Sequence, residues 1–253
     1  MEHRIARRGS SYLVAARHHL QGDRSLRGEV ARLLAETPVD VDVDAHARPV
    51  VLVHGWIARK TSWARTIANL QRRGFDDLHA ASYDVWREDL HRAAARVGDR
   101  LREVADRHEV DQVDVVAHSM GGPTVLAAMA ADSAVADTVH RVVSLGSPWA
   151  GAPAARRARL TPVGPLRSAA QLAPGSTDLA CLRAWAATRM RTPWTSVWSA
   201  ADELVPGWSG TTLFGPTVTN VEAPPLGHLE LLLSRRVVEL IGDGLRASDA
   251  VAA

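Results

Sequence analysis

The stretch that most constrains the fold of this chain is Ala-His-Ser-Met-Gly at positions 117–121. An apolar run, 113–117, leads into it, and a helical pattern of small residues, 123–131, follows it. A serine between a buried strand and a helix, with small residues two positions before and after it, is typical of a tight turn at the carboxyl edge of a parallel sheet. The pattern predicts that Ser119 is a nucleophile. The alternative is an ordinary strand-to-helix loop in which the serine caps the helix.

Strand patterns alternate with helix patterns along the rest of the chain. Strands are predicted at 49–53, 78–83, 113–117, 139–145, 195–199 and 217–221, and helices at 61–72, 88–108, 123–131 and 228–241. This alternation predicts an α/β fold with a mostly parallel sheet and helices on both of its faces. A length of 253 residues fits a single domain.

Two segments depart from the alternation. Residues 1–47 form a predicted helical N-terminal extension, with amphipathic helices in 10–36 that break near Gly22 and Gly28, and an edge strand or acidic linker at 39–44. The extension either supports the core or presents a partner helix. Residues 148–193 contain no clear strand and are longer than a connector needs, so we expect a helical cap or lid insertion there.

The composition excludes several classes of protein. Lysine and arginine total 30 against 28 aspartates and glutamates, without a basic stripe, so we expect no nucleic-acid partner. Cys181 is the only cysteine, which excludes an internal disulfide. The apolar run after the basic start is too short for a signal peptide, and no run could span a bilayer. We therefore expect a cytoplasmic protein without a transmembrane segment; secretion of a longer precursor stays open, as does transient contact with a lipid surface.

A serine nucleophile needs a histidine base and an acid that fixes the tautomer of that histidine. Asp202 lies just beyond the predicted strand 195–199, and His228 lies on the loop after the last predicted strand. Glu203 is an alternative acid. Asp202 is otherwise a turn former and His228 otherwise only begins a helix, but together with Ser119 they follow the order and context that a catalytic triad requires.

The negative oxygen that forms when a carbonyl is attacked needs two backbone donors. The N–H of Met120 is one candidate, because it follows the nucleophile at the start of a helix. The N–H of Trp56, on the loop after the first strand, is the other. His54 and His118 are further candidate bases, but we expect them to brace the neighbouring turns by hydrogen bonds.

Five motifs together resemble those of bacterial triacylglycerol lipases and esterases of the α/β-hydrolase superfamily. They are Val-Leu-Val-His-Gly-Trp at 51–56, Ala-His-Ser-Met-Gly-Gly at 117–122, Leu-Gly-Ser-Pro at 145–148, Ala-Asp-Glu-Leu-Val-Pro at 201–206 and Gly-His-Leu at 227–229. The resemblance runs from about residue 48 to the end of the chain. It implies the α/β-hydrolase fold and hydrolysis of carboxylic esters, often acylglycerols, through an acyl-enzyme on Ser119. We expect no metal or organic cofactor.

The oxyanion loop departs from many relatives, which continue after His-Gly with further glycines. Here Trp-Ile-Ala-Arg follows at 56–59, so the acyl pocket and the substrate stay open. Eight tryptophans against two phenylalanines and two tyrosines are unusual. Trp149, Trp198 and Trp208 adjoin the motifs, so we expect them to line an apolar substrate pocket, with core packing as the alternative.

Two other functions fit the same residues. An acyltransferase or thioesterase would use the same triad with a different acceptor or acyl donor. A binding protein would keep the fold without the chemistry, since fold alone does not establish function.

Overall fold

The computed structural model describes residues 24–35, 45–56, 60–85, 87–158 and 168–247. Its centre is a six-stranded, entirely parallel sheet with the strand order β2-β1-β3-β4-β5-β6. The strands are β1 (Val50–Val53), β2 (Leu78–Ala80), β3 (Val113–His118), β4 (Val139–Leu145), β5 (Trp194–Trp198) and β6 (Val218–Glu222). The predicted α/β architecture is therefore confirmed.

Helices cover both faces of this sheet. The described residues form α1 (Arg24–Ala35), α2 (Ala64–Gln71), α3 (Leu90–Arg107), α4 (Gly121–Ala131), α5 (Ser133–Thr138), α6 (Pro153–Ala158), α7 (Thr177–Thr188), α8 (Trp208–Thr211) and α9 (Arg235–Arg246), with short 3-10 turns at Lys60–Trp63 and Glu230–Leu232. Alternate strand residues point to opposite faces. Val51 and Val53 thus join the apolar cluster of α3, α4 and α7, whereas Val50 and Leu52 join that of α1, α2 and α9.

The described part of the N-terminal extension is a helix that packs on the core. In α1, Leu26, Val30 and Leu33 are buried in the same cluster as α2. The predicted break at Gly28 is wrong, because α1 continues through it. Burial of one apolar stripe outweighs the cost of a single glycine, which is about 1 kcal/mol relative to alanine. The earlier part of the predicted amphipathic segment, 10–23, and the predicted strand at 39–44 lie outside the described residues.

The segment 148–193, expected to form a cap, contributes two helices to the described structure. Its helix α7 buries Leu179, Leu182 and Ala186 in the cluster that α3 and α4 form on the sheet. This helix connects β4 to β5 and covers the face of the sheet, as a crossover helix does. Residues 159–167 lie outside the described residues, so a cap over the site stays a prediction.

The C-terminal helix begins later than its apolar pattern indicated. The prediction places its start at 228, whereas α9 begins at Arg235 with Ser234 as its N-cap, the serine Oγ accepting from Val237 N at 3.4 Å. His228 consequently stays on a loop. None of the helices described here is long and apolar enough to cross a membrane.

The direction in which successive strands are added to the sheet reverses between β1 and β3. The chain leaves β1 toward β2 on one side and returns to β3 on the other. In open parallel sheets, such a reversal separates the loops at the carboxyl ends of the two strands, and ligands bind there. The loop that carries Trp56 and the turn that carries Ser119 both leave the sheet at this point.

Two glycines give a matched test of how closely β1 and α4 approach each other. A methyl group added at Gly121 would lie 2.4 Å from the carbonyl oxygen of Val53, whereas one added at Gly28 in α1 meets nothing within 4 Å. We expect Gly121→Ala to lower the free energy of unfolding by about 3 kcal/mol, because the backbone of β1 must move. Gly28→Ala should raise it by about 0.5–1 kcal/mol through helix propensity. Urea denaturation measures both, and equal effects would contradict the close approach of β1 and α4.

Candidate active site

Ser119 occupies a strained backbone position at the end of β3. Its φ is +55°, in the left-handed region that residues other than glycine rarely adopt. The turn is held by main-chain and side-chain hydrogen bonds: Ser119 N donates to Leu145 O at 2.8 Å, and Ser147 Oγ donates to Ser119 O at 2.9 Å. Strain of this kind persists only where the surrounding structure enforces it, and it is concentrated at functional sites.

The loop after β1 passes directly against this turn. A methyl group added at Gly55 would lie 2.6 Å from the Cβ of Ser119. The loop is braced from two sides. His54 Nδ1 lies 3.0 Å from Gly55 O, and the hydroxyl of Tyr83 donates to His54 O. The Tyr83 and His54 rings stack with centroids 4.4 Å apart.

His228 and Asp202 form a buried pair beside the turn. His228 Nδ1 lies 2.8 Å from Asp202 Oδ2. The other carboxylate oxygen, Oδ1, accepts from Leu204 N at 3.0 Å and from Val205 N at 2.8 Å. The carboxylate is thus fixed by its own loop, which leaves Oδ2 for the imidazole.

The structure separates the two candidate acids. Glu203 does not contact the His228 ring through any hydrogen bond in the described residues; its Oε2 accepts from the main-chain N of His228 at 3.0 Å. Asp202 therefore orients the imidazole, whereas Glu203 holds the backbone that carries it.

His118 also contacts both the carbonyl oxygen and the ring of His228. Its Nε2 lies 3.1 Å from His228 O, and the two imidazole centroids are 4.7 Å apart. Burial, reinforced by the nearby His228, lowers the pKa of His118 to about 3, so its ring is neutral near pH 7. Because a carbonyl oxygen only accepts, the proton of His118 lies on Nε2. This N–H donates to His228 O and so fixes the loop that carries His228.

This buried neutral imidazole makes stability depend on pH. Between the ordinary histidine pKa of 6.5 and about 3, the unfolded chain binds a proton at His118 that the folded protein does not. The free energy of unfolding is therefore unaffected by this group above pH 6.5. Below pH 6.5 it falls by about 1.4 kcal/mol for each pH unit, down to about pH 3. We expect His118→Gln, which cannot titrate, to lack this slope. Urea denaturation of both proteins from pH 7 to pH 4 measures it, and parallel profiles would contradict a neutral buried His118.

The predicted oxyanion donors lie on the segments that follow β1 and β3. Met120 is the N-cap residue of α4, where main-chain N–H groups and the helix dipole favour negative charge. Trp56 is half-buried on the loop that contacts Ser119. The bulky continuation of that loop, residues 57–59, lies outside the described residues.

Comparison with known proteins shows the family and the fold of this chain. The family model described as lecithin:cholesterol acyltransferase matches residues 49–179, which include β1, the Ser119 turn and α7 up to Leu179. The chain belongs to the lecithin:cholesterol acyltransferase family. No curated protein sequence matches it significantly.

Solved structures similar to this family member are α/β-hydrolases. The mature Bacillus licheniformis lipase BlEst2 is 18% identical with a TM-score of 0.62, and the match covers 83% of this chain and 96% of that one. Phospholipase PlaB from Legionella pneumophila, in complex with thio-NAD, is 14% identical with a TM-score of 0.68, over 81% and 59% of the two chains. The α/β-hydrolase MGS-MChE2, from a lagoon-sediment metagenome from Mar Chica in Morocco, is 16% identical with a TM-score of 0.57, over 79% and 91%. At these identities the likeness establishes the fold, and the predicted resemblance to bacterial lipases and esterases of this superfamily is confirmed.

The three tryptophans expected in a substrate pocket have different environments in this lecithin:cholesterol acyltransferase family member. Trp149 is fully buried in the core, where its Nε1 donates to Ser196 Oγ at 3.1 Å and its ring meets Trp194 edge-on. These contacts fit core packing, the alternative given for Trp149, and its place in a substrate pocket stays a prediction. Trp198 is half-buried at the end of β5, and Trp208 is exposed, edge-on against the exposed Phe214.

Two residues that support the site lacked an assigned role in the sequence. Ser147 belongs to one of the family motifs but gave no sign that its hydroxyl would hold the carbonyl of Ser119. Tyr83 ends a predicted strand, and burial raises the pKa of its phenol, which keeps the hydroxyl available as a donor to His54 O. Both contacts join segments distant in sequence, so only the fold reveals them.

Proposed function

We propose that this protein is a serine hydrolase that cleaves carboxylic esters of lipids through an acyl-enzyme on Ser119. The observation that carries the proposal is the position of the His228 imidazole. Its Nδ1 lies 2.8 Å from Asp202 Oδ2, and its ring packs on His118, the residue before the strained Ser119. Family membership and lipase-like and phospholipase-like folds support lipid esters as the substrate class.

In the proposed first half-reaction, Ser119 Oγ attacks the ester carbonyl and His228 Nε2 accepts the hydroxyl proton. The Asp202 carboxylate holds the proton on Nδ1 and stabilises the imidazolium. The N–H groups of Met120 and Trp56 receive the carbonyl oxygen as it becomes negative. Loss of one such donor typically costs about 2.7–4 kcal/mol of activation free energy. Collapse expels the alcohol, which takes the proton from His228.

In the second half-reaction, water attacks the acyl-enzyme while His228 again acts as base. The carbonyl oxygen returns to the same two donors, and Ser119 leaves with the proton that His228 returns to it. The products are a carboxylic acid and free enzyme. This reaction consumes no cofactor.

Acyl transfer is the second candidate function, favoured by the family description. It differs only in the second half-reaction, where an alcohol replaces water as the acceptor. A thioesterase would differ instead in the first, where a thiolate leaves. Either reaction uses the proposed triad unchanged.

The experiment that tests the proposal combines labelling with a substrate series. A fluorophosphonate should label wild-type protein on the peptide that contains Ser119, as read by mass spectrometry, and should not label heat-unfolded protein. Nitrophenyl esters from acetate to palmitate then give the preferred acyl length, with a long-chain optimum for a lipase and a short-chain optimum for an esterase. Adding cholesterol or a primary alcohol to a phospholipid assay shows whether the acyl group passes to water or to the alcohol. Failure of the folded protein to react at Ser119 would favour a binding protein of the same fold.

A further inference from the structure

A second cluster of polar side chains lies near the amino-terminal end of β2, whereas Ser119 follows the carboxyl end of β3. Asp77 immediately precedes β2, His79 lies within β2, and His108 is the C-cap residue of α3. Asp77 Oδ1 is 2.9 Å from His79 Nε2, and Asp77 Oδ2 is 2.9 Å from His108 Nδ1. The imidazole rings meet edge-on with centroids 4.9 Å apart. One carboxylate therefore faces two imidazoles that come from different elements.

The spacing of these groups suits a metal ion. One donor atom from each residue lies within 4.8 Å of the other two. Tetrahedral zinc, with bonds of about 2.0–2.2 Å, places neighbouring ligand atoms about 3.3 Å apart. Small side-chain rotations therefore bring the three donors to bonding distance.

Two of the three side chains are partly open to solvent. The side chain of His79 is 1% exposed, whereas those of Asp77 and His108 are 22% and 18% exposed. One candidate ligand is thus buried and the other two reach solvent, from which water could complete the coordination shell.

A second trio of the same residue types provides an internal comparison. Asp114 lies 2.7 Å from His46 Nε2 through Oδ2 and 2.9 Å from His140 Nδ1 through Oδ1. Across the described ranges of the chain, however, three such donors converge only at Asp77. Hydrogen bonds to a buried carboxylate account for the Asp114 trio, which serves as a control.

We propose that Asp77, His79 and His108 form a binding site for a divalent transition-metal ion of the zinc type. Two imidazoles and a carboxylate match the ligand preference of zinc, which binds nitrogen and carboxylate oxygen readily. Binding requires the imidazoles without their protons on the ligating atoms, so affinity falls as the pH falls. Because the ligands come from β2 and the end of α3, the ion would fasten the edge strand to its crossover helix. This role is independent of the proposed ester hydrolysis.

The test is zinc titration of the full chain after treatment with a chelator, by calorimetry at pH 7.5, with the thermal midpoint as a second readout. We expect one equivalent to bind and the midpoint to rise by about 5 °C or more at a hundredfold excess over Kd. His108→Gln should weaken binding by more than about 100-fold, since even loss of a group that only orients a ligand costs about 10–100-fold. Asp77→Asn should do the same, whereas His140→Gln, in the Asp114 trio, should bind zinc like the wild type.

Two results would overturn the proposal. Wild-type protein that takes up no zinc saturably lacks the site. The site is also elsewhere if zinc binds equally to the folded wild type and to folded His108→Gln and Asp77→Asn, since other histidines then bind the ion. Cobalt substitution adds a spectroscopic readout, because visible bands of four-coordinate cobalt should appear in the wild type and be lost in His108→Gln.

Discussion

Replacing Ser119 by alanine should lower kcat for ester hydrolysis by about 10⁶-fold, the loss seen when the nucleophile of a catalytic triad is removed. The reason is that no other hydroxyl occupies the left-handed turn at the end of β3 in the described structure, where φ is +55°. Nitrophenyl ester hydrolysis and fluorophosphonate labelling measure the loss. A variant that retains a tenth of the wild-type rate would exclude Ser119 as the nucleophile.

The fold of this variant should be intact, and glycine provides the matched control. Ser119→Ala keeps the strain of a side chain in the left-handed region, which costs about 1–2 kcal/mol. Ser119→Gly removes this strain, but glycine loses more backbone entropy on folding, which costs about 0.5–1 kcal/mol. We therefore expect the glycine variant to be at least as stable as the alanine variant and equally inactive. Urea denaturation of the two variants separates loss of the nucleophile from loss of the fold.

The parts of the fold that follow local patterning were predictable. Short valine-rich runs specify β3 and β4, and their observed bounds differ from the prediction by one residue at most. The spacing of small residues around Ser119 predicts its turn, because only small residues allow the close approach of β1 and α4 seen at Gly121. The proximity of Asp202 to His228 followed from their places after parallel strands, whose carboxyl ends share one edge.

The parts that depend on long-range packing were not predictable from pattern. The sequence places Trp149 beside a motif, but its burial arises from Trp194 and Ser196 on a strand more than forty residues away. The segment 148–193 lacks a strong helical stripe, yet α7 buries enough apolar surface to form part of the layer on the sheet. Glu203 and Asp202 are adjacent in sequence, so only the three-dimensional loop shows which carboxylate reaches the ring.

The second large effect is expected at Asp202, because its carboxylate, and not that of Glu203, contacts the His228 ring. Asp202→Asn should lower kcat by about 10⁴-fold. The asparagine Oδ1 can still accept from Leu204 N and Val205 N, so its amide nitrogen replaces Oδ2 and faces His228. An amide nitrogen donates, which forces the imidazole proton onto Nε2 and leaves His228 unable to accept the proton of Ser119. Glu203→Gln is the matched control, because its amide oxygen can still accept from His228 N. We expect this variant to keep kcat within about tenfold of the wild type, since the tautomer of His228 is unchanged. Measured on one nitrophenyl ester, the reverse order of effects would assign the acid to Glu203.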